Sequence, residues 1–267
     1  MPRFKLFLAY DGRPYAGWQA QLGRNTVQDT VEGALTRILK GRTVRIQGSG
    51  RTDAGVHALG QVAHFDVPPE ARLPGVAWRR ALNMNLPASI RVMECLPAHP
   101  DFHARFDALG KTYRYRIFTG EVLPPFEAGT ASHYCKPLDF ERMVEACAHL
   151  AGTHDFAGFA AFRGHEDGSE NTVRTLWKVE PARDGGWITL TFHGSGFLYK
   201  MVRLMTGAIL RVAGGRAPLT WMTDLLHRRV EGKCQHLAPP DGLYLVSVDY
   251  PDRPNPHEPD APCPPPV

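Results

Sequence analysis

At 267 residues, with 43% hydrophobic side chains, the chain is long enough to bury a sizeable core and too apolar for a disordered protein. The net charge of +4, from 31 basic and 27 acidic side chains, permits a phosphate-bearing partner without demanding one. Five scattered cysteines form no C-x-x-C pair, which indicates a reduced, cytoplasmic protein without a structural metal. No apolar run approaches the roughly 18 residues that a membrane span needs, so we expect no membrane partner.

The hydrophobic period changes along the first half of the chain in the order βαββαβ. Alternation over residues 4–10 predicts a strand. Thr26, followed three residues later by Asp29, is typical of a helix start, and apolar residues at helical spacing extend this helix over 27–40. The remaining predicted elements are strands at 42–47, 60–67 and 89–96 and a helix at 75–83.

The second half repeats this order with longer connections, although no repeat of the sequence itself is visible. Its predicted elements are strands at 111–118, 172–182, 187–194 and 243–250 and helices at 139–150, 197–212 and 218–229. Two ferredoxin-like βαββαβ units would most economically join into one antiparallel sheet with helices packed on one face, which predicts an α+β fold. We place the units at 1–104 and 105–250, and expect the proline-rich tail, 251–267, to be disordered.

Two zones of the chain carry basic side chains and no acid. Either zone alone would be typical of a solvated surface, but both together, around one loop, favour a polyanionic partner. The first zone, 33–52, holds Arg37, Lys40, Arg42, Arg45 and Arg51, and the second, 185–223, holds Lys200, Arg203, Arg211 and Arg216.

The first basic zone ends in the loop "GSGRTDAGVHA", residues 48–58, which places the carboxylate of Asp53 two residues after Arg51. Glycine, serine and aspartate are turn formers, so composition alone favours a simple turn. Several catalytic patterns do not match, because the chain lacks a P-loop, a dinucleotide fingerprint and the G-x-S-x-G elbow of serine hydrolases. A glycosidase would need a second carboxylate opposite Asp53, and the basic zones offer none.

Seven stretches resemble, in order, one known family. They are "GRTDAGVHA", "GQVAHFD", "NLP", "DFHARF", "KTYRYRI", "FLYKMVRLMTG" and "GLYLVSVDYP". The chain closely resembles the tRNA pseudouridine synthase A family from about Phe4 to Pro251. The resemblance implies an isomerase that acts on uridines 38 to 40 of the tRNA anticodon stem-loop, breaking the N1–C1′ bond and joining C5 to C1′. It implies no cofactor, and a homodimer in which both subunits hold one tRNA.

The resemblance also implies roles for five residues. Asp53 is the catalytic carboxylate, acting as nucleophile or as base at the sugar, and Arg203 is its cationic partner. Tyr113 stacks on the target base, Arg51 fills the space left by the flipped nucleotide, and Leu243 lines the uracil pocket.

The residues themselves leave other interpretations open. The apolar stripe of the helix predicted over 197–212 places Arg203 on the opposite, solvent-facing side. Tyr113 and Tyr115 share one strand face, and we assign Tyr115 to the core and Tyr113 to the site. Leu243 at a strand start could belong to the core, and a ring nitrogen of His57 could hold the loop by a hydrogen bond rather than take part in catalysis.

Two other classes of function remain open from the residues alone. One is a non-catalytic RNA-binding protein on the same double platform, although the RNP consensus of RNA-recognition motifs is missing. The other is a hydrolase that uses Asp53 on a free nucleoside, for which an acid-lined pocket would be expected rather than two basic zones.

Overall fold

The computed structural model describes residues 1–71, 73–161, 171–227 and 232–251. The strands among these residues are β1 Arg3–Tyr10, β2 Ile46–Gly48, β3 His57–Asp66, β4 Ile90–Ala98, β5 Gly110–Phe118, β6 Ser132–His133, β7 Gly152–Asp155, β8 Val173–Asp184, β9 Trp187–Gly194 and β10 Leu243–Asp249. The helices are α1 Val27–Ile38, α2 Gly75–Asn85, α3 Phe140–Leu150, α4 Met201–Ala213 and α5 Leu219–Leu226, with short 3-10 turns at Pro125–Glu127 and Phe156–Phe159.

All the described strands belong to one sheet, in the order β4-β1-β3-β10-β5-β9-β8-β7, with β2 also paired to β3 and β6 to β5. The two halves have the same internal order: the last strand lies beside the first, and the third and second follow. This is the arrangement of β4-β1-β3-β2 and again of β10-β5-β9-β8. The predicted α+β class is confirmed.

The two halves meet where β10 pairs with the start of β3. This pairing is parallel, with Tyr244 opposite His57 and Leu245 opposite Ala58, whereas the other long ladders are antiparallel. The sheet is therefore mixed rather than wholly antiparallel. The predicted boundary between 104 and 105 falls between β4 and β5, and the division into two folding units stays a prediction.

Alternation places one face of the sheet against the helices. In β1 every second side chain is buried, and the same pattern recurs in β5 and β9, so that strand and helix side chains form one continuous core. The opposite face of the first half is partly covered by the segment after β4, where Phe102 and Ala104 pack on Val62. No helix in the described ranges is long and apolar enough to cross a membrane.

Several element bounds differ from those predicted. Helix α1 begins as expected, because Thr26 Oγ1 accepts the N–H of Asp29 at 3.2 Å, and Asp139 Oδ1 caps α3 by accepting the N–H of Arg142 at 3.1 Å. Strand β2 comprises only Ile46–Gly48, and α4 begins at Met201, after Lys200 in a left-handed conformation with φ of 58°. The tail after Pro251 and the predicted helical residues 228 and 229 lie outside the described residues.

Candidate functional site

The loop between β2 and β3 places Asp53 at the start of a tight turn. The Val56 N–H donates to the Asp53 carbonyl at 3.1 Å, and Gly55 occupies the turn at φ +77°, a conformation that side chains disfavour. The Trp18 N–H donates to the Thr52 carbonyl at 3.1 Å, and the Gly55 N–H donates to that of Tyr15 at 3.3 Å. The segment after β1 therefore holds the loop from one side.

Glycines on both segments make this approach possible. A Cβ on Gly12 would lie 2.1 Å from the Val56 carbonyl oxygen, and one on Gly17 would lie 2.6 Å from that of Thr52. A Cβ on Gly48 would collide with the Trp18 ring at 2.6 Å. Gly48 therefore serves packing within the protein.

Asp53 and Arg203 form an ion pair between the two halves of the chain. Arg203 Nη1 donates to Asp53 Oδ2 at 3.0 Å, and the two side chains are only 11% and 19% exposed, respectively. Arg203 Nε donates to the carbonyl of Ala238 at 2.8 Å, which orients the guanidinium. Helix α4 thus supplies the cation, and the loop before β3 supplies the anion.

The solvent-facing position suggested for Arg203 by the apolar stripe is wrong. The segment before β10 crosses α4, and the Ala238 N–H donates to the Arg203 carbonyl at 3.1 Å. A Cβ on Gly207 would lie 1.7 Å from the His236 carbonyl oxygen, so helix and segment are in direct backbone contact. The side of α4 that the pattern gave to water is covered by protein.

Tyr113 lies on the core-facing side of β5 and is 8% exposed. The Phe197 ring packs edge-on against it, with centroids 5.0 Å apart. Burial, together with the negative charge of Asp53, raises the pKa of the Tyr113 hydroxyl far above its ordinary value, so the phenol stays protonated. Tyr113 is therefore close enough to Asp53 to sense its charge.

The other two predicted site residues, Leu243 and Arg51, have different surroundings. Leu243 is 5% exposed and lies opposite Tyr115, whereas Leu245 lies opposite Tyr113. Tyr115 is fully buried and donates its hydroxyl to the Pro239 carbonyl at 2.8 Å, as its assignment to the core requires. Arg51 is exposed, and its Nε donates to Gln19 Oε1 at 3.2 Å.

His57 holds the loop through both ring nitrogens. Nδ1 accepts the Gly12 N–H at 3.2 Å, so Nε2 carries the proton and donates to the Gly129 carbonyl at 2.9 Å. Burial lowers the pKa of this imidazole below its ordinary value, which keeps the ring neutral. Its geometry is that of a structural residue.

Polar residues beside the loop were missed in the sequence analysis. Gln61 on β3 and Tyr10 on β1 are buried and hydrogen-bond to the loop or to each other. Lys111, two residues before Tyr113, donates from Nζ to the Ser49 carbonyl at 2.8 Å, and burial lowers its pKa to about 8. The available signal was a polar group at a core-facing position of an alternating strand.

Two arginines of the first basic zone form ion pairs within the protein, so fewer of its cations are unpaired than the composition suggests. Arg42 pairs with Glu70, and Arg45 with Glu32. Within the described part of the chain, no group of three or more His, Cys, Asp or Glu side chains is arranged to hold a metal ion.

Comparison with known proteins assigns the chain to a family. A family model described as tRNA pseudouridine synthase matches residues 7–107 and 146–251. A tRNA pseudouridine synthase A of Akkermansia muciniphila is 48% identical over 95% of this chain and 97% of its own length. One of Limosilactobacillus fermentum is 43% identical over 94% and 96%. Among solved structures, a chain in a Cbf5-Nop10-Gar1 complex covers 78% of this chain and 45% of its own, at 13% identity and a TM-score of 0.35, too distant to carry an argument.

The chain belongs to the tRNA pseudouridine synthase family, and its recognition from seven short stretches is confirmed. It is an isomerase that modifies tRNA. The non-catalytic RNA-binding protein and the nucleoside hydrolase are thereby excluded as the main function.

Proposed function

We propose that this synthase converts uridines 38 to 40 of the tRNA anticodon stem-loop to pseudouridine, with Asp53 as the catalytic carboxylate. The observation that carries the proposal is the ion pair of Asp53 with Arg203, held in a largely desolvated position. A carboxylate removed from water needs hydrogen-bond donors to act as an anion, and the Arg203 guanidinium supplies one.

The reaction is an isomerisation and needs no redox partner. The N1–C1′ bond breaks, the uracil turns, and C5 forms the new bond to C1′. The C5 proton is lost and N1 acquires a proton, so atoms balance without a co-reactant. Asp53 acts on the ribose. Either it bonds to C1′ as the uracil leaves and is displaced when C5 attacks, or it removes a proton from the sugar and returns it once the bond from C5 to C1′ has formed.

The target nucleotide must leave the stem-loop before a carboxylate can reach its C1′. Arg51 is suited to occupy the vacated space, because its guanidinium is planar, permanently charged and exposed on the same loop. Tyr113 would stack on the extruded uracil, with Phe197 holding its ring plane, and Leu243 would close the pocket at the strand start. The proposal includes the homodimer and the cytoplasmic location that the sequence analysis suggested.

The test is tritium release from tRNA labelled at uracil C5, measured with wild type, Asp53→Asn and Asp184→Asn. Asp184, exposed at the end of β8 beside the turn to β9, is a matched control that should leave the rate unchanged. Asp53→Asn should abolish release while tRNA affinity stays within a few-fold. Retained release would remove Asp53 from the mechanism. Transcripts with cytidine at positions 38, 39 and 40 test the site, because release from them should cease.

A further inference from the structure

Gln61 is a fully buried amide on β3 that uses all of its hydrogen-bonding capacity. Its Oε1 accepts from Ser49 Oγ at 2.7 Å and from the Val62 N–H at 3.2 Å. Its Nε2 donates to the Gly50 carbonyl at 3.0 Å and, more weakly at 3.5 Å, to the Tyr10 hydroxyl. One side chain thus contacts two successive residues of the loop.

The Tyr10 hydroxyl extends this contact past Arg51. Because the Tyr10 oxygen accepts the N–H of Gln61, the hydroxyl can donate its own proton to Thr52 Oγ1, 2.8 Å away. Burial raises the pKa of Tyr10 to about 12, so this proton is present at any working pH. On the other side, Lys111 Nζ fixes the Ser49 carbonyl.

The loop is therefore held on both sides of one exposed residue. Ser49 and Gly50 before Arg51, and Thr52 after it, all have hydrogen bonds to buried side chains. The ladder with β3 ends just after β2, where the Ser49 N–H still donates to the Val62 carbonyl at 2.7 Å, so the Gly50 carbonyl takes its donor from the Gln61 side chain. Among residues 49–52, only Arg51 is exposed.

We propose that Gln61 is a positioning residue for the catalytic loop, which, with Tyr10, fixes residues 49, 50 and 52 so that Arg51 projects towards the RNA and Asp53 stays aligned with Arg203. This rests on the proposed roles of Arg51 and Asp53. Gln61 does not touch substrate. Its effect is on the fraction of bound complexes in which the loop is correctly placed, so its loss should lower kcat rather than weaken binding.

Three variants separate this role from a general loss of stability. Gln61→Met keeps the volume but removes every hydrogen bond of the amide. Tyr10→Phe removes the connection to Thr52 and the weak contact with Gln61 Nε2 but leaves the other Gln61 bonds in place, and Asn83→Leu is the matched control. Asn83 is a half-buried amide on α2 that bonds the Val92 backbone at 2.8 and 2.9 Å, far along the chain from the loop.

Tritium release is measured for each variant well below its unfolding transition. Gln61→Met should lower kcat on the order of tenfold to a hundredfold with KM for tRNA within about threefold. Tyr10→Phe should produce a smaller fall in kcat, and Asn83→Leu should leave kcat unchanged at a similar loss of stability. A fall in kcat for Asn83→Leu equal to that for Gln61→Met would overturn the proposal.

A fourth variant adds a readout that loss of structure would not produce. In Gln61→Glu the introduced carboxylate cannot donate to the Gly50 carbonyl, but when protonated it can. The ratio of its kcat to that of wild type should therefore rise as pH falls, whereas the ratio for Gln61→Met should stay flat. A flat ratio for both variants, or normal kcat in Gln61→Met, would overturn the positioning role. If the Gln61 variants give such a result while Asp53→Asn is inactive in the same assay, only the positioning role of Gln61 is wrong. If Asp53→Asn is active, the proposed function itself is wrong.

Discussion

The ion pair of Asp53 with Arg203 can be tested by its contribution to stability. Arg203→Met keeps an unbranched apolar stem but removes the guanidinium, which leaves the Asp53 carboxylate without its cation and the Ala238 carbonyl without its donor. Both losses occur where little water can replace the missing partner. The variant should therefore unfold at clearly lower urea concentration than wild type.

The magnitude follows from how far the pair is removed from water. Exposed ion pairs contribute about 0–1 kcal/mol, whereas breaking a buried pair costs about 3–5 kcal/mol. At 11% and 19% exposure this pair lies nearer the buried limit. We expect Arg203→Met to cost about 3 kcal/mol in the free energy of unfolding, of which the unpaired Ala238 carbonyl accounts for about 1 kcal/mol.

A double-mutant cycle isolates the interaction itself. Asp53→Asn, Arg203→Met and the double variant are unfolded in urea, and the cycle is evaluated where all four proteins show one transition with equal slope. The coupling free energy should be about 1–2 kcal/mol. The exposed pair of Arg42 with Glu70 is the control and should show no measurable coupling. A coupling indistinguishable from zero between Asp53 and Arg203 would refute the reasoning.

Two further predictions concern the packing around the sheet. His64 is 3% exposed, and burial lowers its pKa to about 4. In the unfolded chain the same imidazole binds a proton at about pH 6.5, so protons favour the unfolded state below that pH. The free energy of unfolding should therefore fall as the pH decreases from about 6.5 to about 4, by at most about 3 kcal/mol. Urea unfolding across this range should give a flatter profile for His64→Asn, and an unchanged slope would contradict the assignment. Gly12→Ala should cost about 1–3 kcal/mol in the free energy of unfolding and reduce tritium release, because its Cβ meets the Val56 backbone. Gly33→Ala on α1, where the Cβ would make only an ordinary 3.7 Å contact with Arg37 Nη1, should be neutral or stabilising. Equal unfolding midpoints for the two variants would show that the loop adjusts to the added Cβ without cost.

The sequence predicted those elements whose signal is local. Helix α1 was located by Thr26 and by apolar residues at helical spacing, and its cap formed as that pattern requires. Alternation likewise located β1, and in β5 it placed Tyr113 and Tyr115 on the same strand face. These patterns depend on neighbours within a few residues, so they do not depend on contacts with distant parts of the chain.

Features set by distant contacts were not predictable in this way. The wheel of α4 carries no information about the segment around Ala238, which buries Arg203 from outside the helix. Strand β2 is shorter than its composition suggests, since residues 42–45 pair with no strand and only Ile46–Gly48 reach β3. In the sequence, Gln61 is only a polar interruption of an apolar strand. The structure shows that it hydrogen-bonds to Ser49 and Gly50. A polar residue at a core position was thus the one local sign of the loop's support.

The topology explains why the site lies where it does. Asp53 belongs to the first half of the chain, and Arg203 and Tyr113 to the second, so neither half contains the pair. The parallel contact of β10 with β3 brings the loop before β3 beside β5, and the stacked rings of His57 and Tyr244, 4.7 Å apart, pack across that joint. On this edge of β3, β2 pairs with residues 63–65 and β10 pairs with residues 57 and 58, so the loop that follows β2 turns out of the sheet between the two strands. The position of the Asp53 loop is therefore a consequence of how the two halves share one strand edge.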